Sequence, residues 1–186
     1  MPLPIYVDQQ LVNAFVRRTR GRQMRSRRYI EQCRWPSSEP ICVHCGASGR
    51  CSASGLEYRC LACAGHFSWR ANTIFAGRRL AAWRLITIAW VELRLPGAPD
   101  LAIVRAGGAS AQATRSVRNL LRIGLEYLHL ADIEMPPIAT SRWSLYPRCW
   151  PQAWLHGCEP VISAILNIPR SAIWPDESGW SIIGEP

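Results

Sequence analysis

42-CVHCGASGRCSASGLEYRCLAC-63 holds two cysteine pairs, Cys42-x2-Cys45 and Cys60-x2-Cys63, with fourteen residues between them. Two residues between cysteines let one tight turn aim both sulfurs at a single ion, and two such turns complete a tetrahedral thiolate site. Zn2+, which has no geometric demand of its own, suits that donor set. Four thiolates leave no position for water or substrate, so the ion is expected to build the fold and not to do chemistry. Binding of this kind contributes on the order of 10–16 kcal/mol to folding. Gly46 follows the first pair and Ala64-Gly65 the second, where such turns need unusual backbone freedom. The alternation in 56-LEYRC-60 and 66-HFSWR-70 predicts ribbon strands.

The remaining sulfur and imidazole ligands do not join this set. Cys33 and Cys51 read as free thiols, and His44 as a solvent-facing turn residue. Cys149, His156 and Cys158 match no common metal template, and a second metal there stays open.

Outward from the cysteines, charge divides the 186-residue chain. All 22 basic residues counted as Lys+Arg are arginine, 19 of them within residues 1–130 against 7 acids; residues 131–186 hold 3 against 6. A basic body points to a polyanionic partner for the first two-thirds. The start, MPLPIYVDQQLVNAF, has no positive n-region or small-residue cleavage site, so no signal peptide is expected. No run approaches the ~18 apolar residues of a membrane span. Eight cysteines without a secretory signal suggest a reducing, cytoplasmic setting.

Residues 8–33 have helical spacing, with Gly21 a candidate break. They contain 17-RRTRGRQMRSRR-28, whose Arg17, Arg18, Arg20, Arg22, Arg25, Arg27 and Arg28 form either a solvated basic face or a phosphate-contacting segment. In 80-LAAWRLITIAWVELR-94, Trp83, Ile86, Trp90 and Leu93 lie on one helical face. Pro96 and Pro99 stop that helix, Asp100 can cap a short one over 101–106, and Ser110 can cap a longer one to about Leu128. Beyond Ala131, prolines recur and five of the nine tryptophans lie at 143, 150, 154, 174 and 180; one short helix, Pro160–Asn167, is expected.

The runs 29-YIEQCRWPSSEPICVHCG-46 and 58-YRCLACAGHFSWRANTIF-75 together resemble the zinc-ribbon module of bacterial insertion-sequence transposases. Arg34-Trp35-Pro36 matches the end of that family's leading helix. Cys42, Cys45 and Gly46 match its first knuckle, and Tyr58, Arg59, Cys60 and Cys63 its second. Phe67, Ser68, Arg70, Thr73 and Phe75 match the exit strand, and Gly108-Ala109-Ser110 sits like the family's helix-turn-helix turn. The resemblance spans about residues 25–128. Val43 replaces the usual knuckle proline, and Asn72 replaces a glycine; Asn tolerates left-handed backbone. The family continues into an RNase H-like domain holding two metals, for which residues 132–186 are too few. Asp132 and Glu134, without partner carboxylates, read as surface acids.

The expected fold class is therefore mainly α with a small β zinc ribbon. Its parts are a basic N-terminal helical segment (1–36), a four-cysteine zinc ribbon (37–76), a helix-turn-helix three-helix domain (77–130) and an irregular Trp/Pro-rich C-terminal region (131–186). The resemblance implies that the helix 110–128 reads duplex DNA in the major groove, with Ala111, Gln112, Thr114, Arg115 and Arg118 toward base edges. Arg122 is placed on phosphate, as are Arg70, Arg78 and Arg79 beside the ribbon exit and the N-terminal arginines. Val117, Leu121 and Leu125 would face the other helices. The function expected is a non-catalytic, zinc-dependent DNA-binding protein, a regulator or accessory factor of a mobile element. Its partners would be double-stranded DNA and, through residues 131–186, a protein or another copy, with no membrane. The alternatives are a transposase subunit or remnant acting with a separate catalytic chain, and a zinc-ribbon adaptor for protein or RNA.

Overall fold

Helices dominate the structure, a computed structural model that describes residues 5–52, 57–95, 97–129, 155 and 157–173. In chain order they are α1 (Ile5–Thr19), α2 (Gln23–Arg34), α3 (Ala82–Arg94), α4 (Asp100–Arg105), α5 (Ala111–Tyr127), α6 (Glu159–Leu166) and α7 (Arg170–Ile173). Between α2 and α3 lies an antiparallel three-stranded sheet in the order β1 (Gly49–Cys51), β2 (Tyr58–Cys60), β3 (His66–Phe67). The break between α1 and α2 falls at Gly21, which adopts φ +74°, a backbone that costs glycine nothing. The expected helix over 160–167 is α6, one residue earlier. Trp143, Trp150, Trp154, Trp174 and Trp180, with Asp132 and Glu134, lie outside the described residues.

Helix α3 is the centre of the packing. The sequence spacing suggested a single apolar stripe, but ten of its thirteen residues are buried, from Ala82 and Trp83 through Glu92. Helices α1, α2, α4 and α5 all pack on it, so apolar side chains are needed all round. The Trp90 ring, fully buried, stacks on Phe15 of α1 with centroids 4.3 Å apart and planes 4° from parallel. Thr19 and Thr87 meet through their hydroxyls at 3.1 Å and tie the same two helices. Helix α6 covers α2 and α5 with Val161, Ile162 and Ile165; Gly124 leaves the space that the Ile165 and Ile74 side chains approach. One continuous apolar cluster runs from Val12 through the sheet residues Tyr58 and Phe67 to Ile168.

The sheet joins the helices through Trp35. Helix α2 ends at Arg34, and Trp35, whose N–H donates to the Glu31 carbonyl, lays its ring edge-on to Tyr58 and Phe67. Arg34 is buried; it donates to the carbonyls of Trp69 and, at 2.8 Å, Ala71. Burial without a carboxylate partner pulls its pKa down to about 10, still above neutral pH. The guanidinium thus latches α2 to the segment after β3.

A buried ion network joins α3, α4 and α5. Glu92, 6 % exposed, accepts from both Arg118 and Arg122 of α5, the latter at 2.7 Å. Arg118 also donates to the Ala98 carbonyl at 2.7 Å and to Asp100 at 2.8 Å. Asp100 therefore does not cap α4 with its side chain: Pro99 holds the cap position, and the carboxylate is turned to Arg118. Ser110 does cap α5, its Oγ accepting from the Ala113 N–H at 3.3 Å.

Removing one member of a buried ion set leaves the others desolvated and unpaired, which costs about 3–5 kcal/mol. Glu92→Ala should lower stability by that amount in denaturant titration, and Trp90→Ala by about 3–5 kcal/mol as well, through cavity formation. Ser110→Ala should cost about 1 kcal/mol.

Candidate functional site

The four sulfurs of Cys42, Cys45, Cys60 and Cys63 lie within 4.8 Å of one another and can hold a metal ion. Cys42 and Cys60 are buried, while Cys45 and Cys63 are exposed. The separations include 3.7 Å for Cys42–Cys63 and 3.4 Å for Cys45–Cys60.

The two turns are built alike. The Cys42 N–H donates to the Ala47 carbonyl at 2.8 Å and the Cys60 N–H to the Gly65 carbonyl at 2.9 Å, each five residues on. The His44 N–H points at Cys42 Sγ (3.4 Å) and the Ala62 N–H at Cys60 Sγ (3.3 Å), each two residues on. The fourth residue after each leading cysteine takes left-handed backbone: Gly46 at φ +75° and Ala64 at φ +58°. The freedom read from Gly65 thus belongs to Ala64. Gly65 contributes space, since a side chain there would crowd Cys63 Sγ and the His44 ring.

Backbone donors favour thiolate where they converge. The N–H groups of Cys63 and then Ala62 draw the Cys60 pKa down to about 6. At Cys63 the Gly65 N–H pulls the same way, but the neighbouring sulfurs of Cys60, Cys45 and Cys42, with burial, outweigh it and push that thiol up to about 11. A cation among the four sulfurs would let all of them be held as thiolates.

Cys33 and Cys51 stand outside the cluster, as expected. Burial raises Cys33 to about 12, against a lowering by the nearby Tyr29 hydroxyl and reinforced by Glu159 and Cys158, so it is a thiol in the core. Burial also raises Cys158. Cys149 and His156 lie outside the described residues, and among the described residues the four-cysteine set is the only such group.

The α5 residues divide by face. Ala111, Gln112 and Arg115 are exposed, Arg115 with 74 % of its side chain open and a 3.7 Å approach to Asp100. Two readings are corrected. Arg118 is 4 % exposed and held by Glu92 and Asp100, and Thr114 is fully buried, so neither is available on this surface. The residue that shares the outer face is Asn119, which sequence reasoning passed over. Its signal was position: seven residues after Gln112 and four after Arg115, two helical turns and one. Arg122 is half exposed but commits one donor to Glu92. Val117 and Leu121 face inward, and Leu125 is partly buried.

Beside the start of α5, Arg78 and Arg79 line an open cleft of about 310 Å³ with Ser110, Gln112 and Ser116. Arg70 is committed elsewhere, donating to the Leu80 carbonyl with its guanidinium 4.4 Å over Trp69. Among the N-terminal arginines, Arg17, Arg20, Arg25 and Arg28 are exposed and Arg18 and Arg22 partly so. Arg27 is buried on Glu31 and over Tyr58, a structural position and not a surface one. No helix among the described residues is long and apolar enough to cross a membrane.

Comparison with protein-family models, with curated proteins and with solved structures finds no match for this chain.

Purified protein should carry one metal ion per chain by elemental analysis, and Cys42→Ser or Cys60→Ser should abolish it. Removing the ion with a strong chelator should abolish the sheet's contribution to near-ultraviolet circular dichroism. Ala64→Gly should raise stability by about 1 kcal/mol, because it relieves an L-residue in left-handed backbone.

Proposed function

We propose that the chain is a non-catalytic, zinc-dependent DNA-binding protein that reads duplex DNA with the outer face of α5. The observation that carries this reading is the beginning of α5. Gln112, Arg115 and Asn119 line one exposed face, next to a cleft flanked by Arg78 and Arg79. Arg pairs with guanine and Asn or Gln with adenine through two hydrogen bonds each. A short helix, a tight turn and a longer helix, α4 to α5, is the order of a helix-turn-helix.

Zinc is the ion that best suits the four-cysteine set. Thiolates bound at about 2.3 Å around a tetrahedron sit about 3.8 Å apart. The 3.7 and 3.4 Å separations lie close to that value. The ion's role is structural, and Cys42, Cys45, Cys60 and Cys63 form a zinc ribbon with the three strands. The resemblance to insertion-sequence transposases supports a regulator or accessory factor of a mobile element, acting in the bacterial cytoplasm. Residues 131–186 would supply a protein-docking or self-association surface.

Selection of random duplexes by the metal-loaded protein tests this reading. An enriched motif is expected. Gln112→Ala and Arg115→Ala should each reduce discrimination at one position by about 1–3 kcal/mol. Arg78→Ala should weaken binding evenly across sequences. Arg118→Ala should instead unfold the α3–α5 junction, so its effect should follow stability. Retention without any motif would move the adaptor reading ahead.

A further inference from the structure

The three strands carry a second basic feature, on the side turned away from the core. The register sets Arg50 of β1 opposite Arg59 of β2, and Arg59 opposite His66 of β3. Residues directly opposite in an antiparallel pair share a face, with Cβ atoms about 4.5–5.5 Å apart. All three side chains are exposed and form a row across the sheet. The next rung, Cys51, Tyr58 and Phe67, points the other way, where Tyr58 and Phe67 lie buried under Trp35. Slipping the register by one residue would bury the arginines, so the row is fixed by the core.

Like charges directly opposite one another destabilise a sheet. Among the described residues no carboxylate lies within ion-pair distance of either arginine. Arg118 and Arg122 share Glu92, Arg27 has Glu31, and Arg34 and Arg70 are committed to carbonyls. Among the described residues Arg50 and Arg59 have neither an ion pair nor a side-chain hydrogen bond. The acid at this face is Glu57, whose Oε2 lies 3.8 Å from His66 Nδ1, with side-chain exposures of 59 % and 61 %. Glu57 lies two residues before Arg59 on the same face, and its ion-pair approach is to His66, not to either arginine. Two exposed arginines set opposite one another by the strand register concentrate positive charge that an anion would offset. Each also presents a fork of donors matched to phosphate oxygens. A row across several strands fits a line of phosphates better than a single small anion.

We propose that the solvent face of this sheet, through Arg50, Arg59 and His66, binds the phosphodiester backbone of duplex DNA. This rests on the reading of the chain as a duplex-DNA binder and adds a contact surface remote in sequence from α5.

The test is affinity for duplex DNA and for single-stranded RNA across a salt series, with the melting temperature, for the metal-loaded wild type and four variants: R59Q, R50Q/R59Q, R50K/R59K and Q112A/R115A. The glutamine pair should lower the slope of log affinity against log salt by about 1.8, two phosphate contacts' worth. It should leave the selected motif and the metal content unchanged. The lysine pair should keep the slope, and Q112A/R115A should lose the motif. R59Q alone should melt at or above the wild-type temperature, since it removes the opposed charge. An unchanged slope in R50Q/R59Q, with wild type binding duplex, overturns this surface alone. Wild type that binds no duplex overturns both this surface and the proposed function. A slope change confined to single-stranded RNA overturns the duplex assignment. A melting temperature several degrees lower in R59Q would mark the arginine as structural and also overturn it.

Discussion

Glu92 decides which side of α5 meets solvent. It is a carboxylate in the last turn of the most buried helix, and it receives Arg118 and Arg122 from α5 while Asp100 takes Arg118 from the other side. A charge at that depth is tolerated only because it is paired and its partner's remaining donors reach a carbonyl and a second carboxylate. The pairing rotates α5 so that Val117 and Leu121 enter the core and Gln112, Arg115 and Asn119 leave it. The side of α5 that faces solvent is thus a consequence of where two buried charges had to go.

The cysteine turns answer to a different constraint. A sheet of three short strands has too little apolar area to hold itself together, and two routes make up the deficit. One is the set of four sulfurs that an ion can close. The other is Trp35, delivered by the end of α2, which covers Tyr58 and Phe67 and merges the sheet with the helical core. Arg34 locks that delivery by donating to the Trp69 and Ala71 carbonyls. The Arg-Trp-Pro stretch ahead of the first cysteine is the joint between helix packing and ligand geometry, which no requirement of the ion alone would explain.

The arginines fall into two populations, which composition cannot separate. Arg27, Arg34, Arg70 and Arg118 are interior or half-interior parts of the architecture, held by carboxylates, carbonyls or aromatic faces. Arg78, Arg79, Arg115 and the Arg50–Arg59 pair stand at the surface. The overall charge of +9 therefore conceals where the charge is usable.

Local chemistry was legible in the sequence by itself. The spacing of Cys42, Cys45, Cys60 and Cys63 implied a common site because tight turns are local. The break at Gly21, the Ser110 cap and the stops around Pro99 followed from backbone preferences carried by single residues. Asn72 took left-handed backbone, at φ +52°, where a glycine was the expected alternative. What needed the tertiary structure was everything set by a partner distant in the chain. Arg118 is chemically suited to a base edge, but Glu92, 26 residues earlier, holds it inside. Asp100 suits a cap yet is claimed by the same arginine. Helix α3 reads as one-sided until four other helices are seen to surround it. The opposed Arg50 and Arg59 are ordinary exposed residues until strand register brings them face to face. Sequence states what each side chain could do; long-range packing decides which of those capacities is already taken.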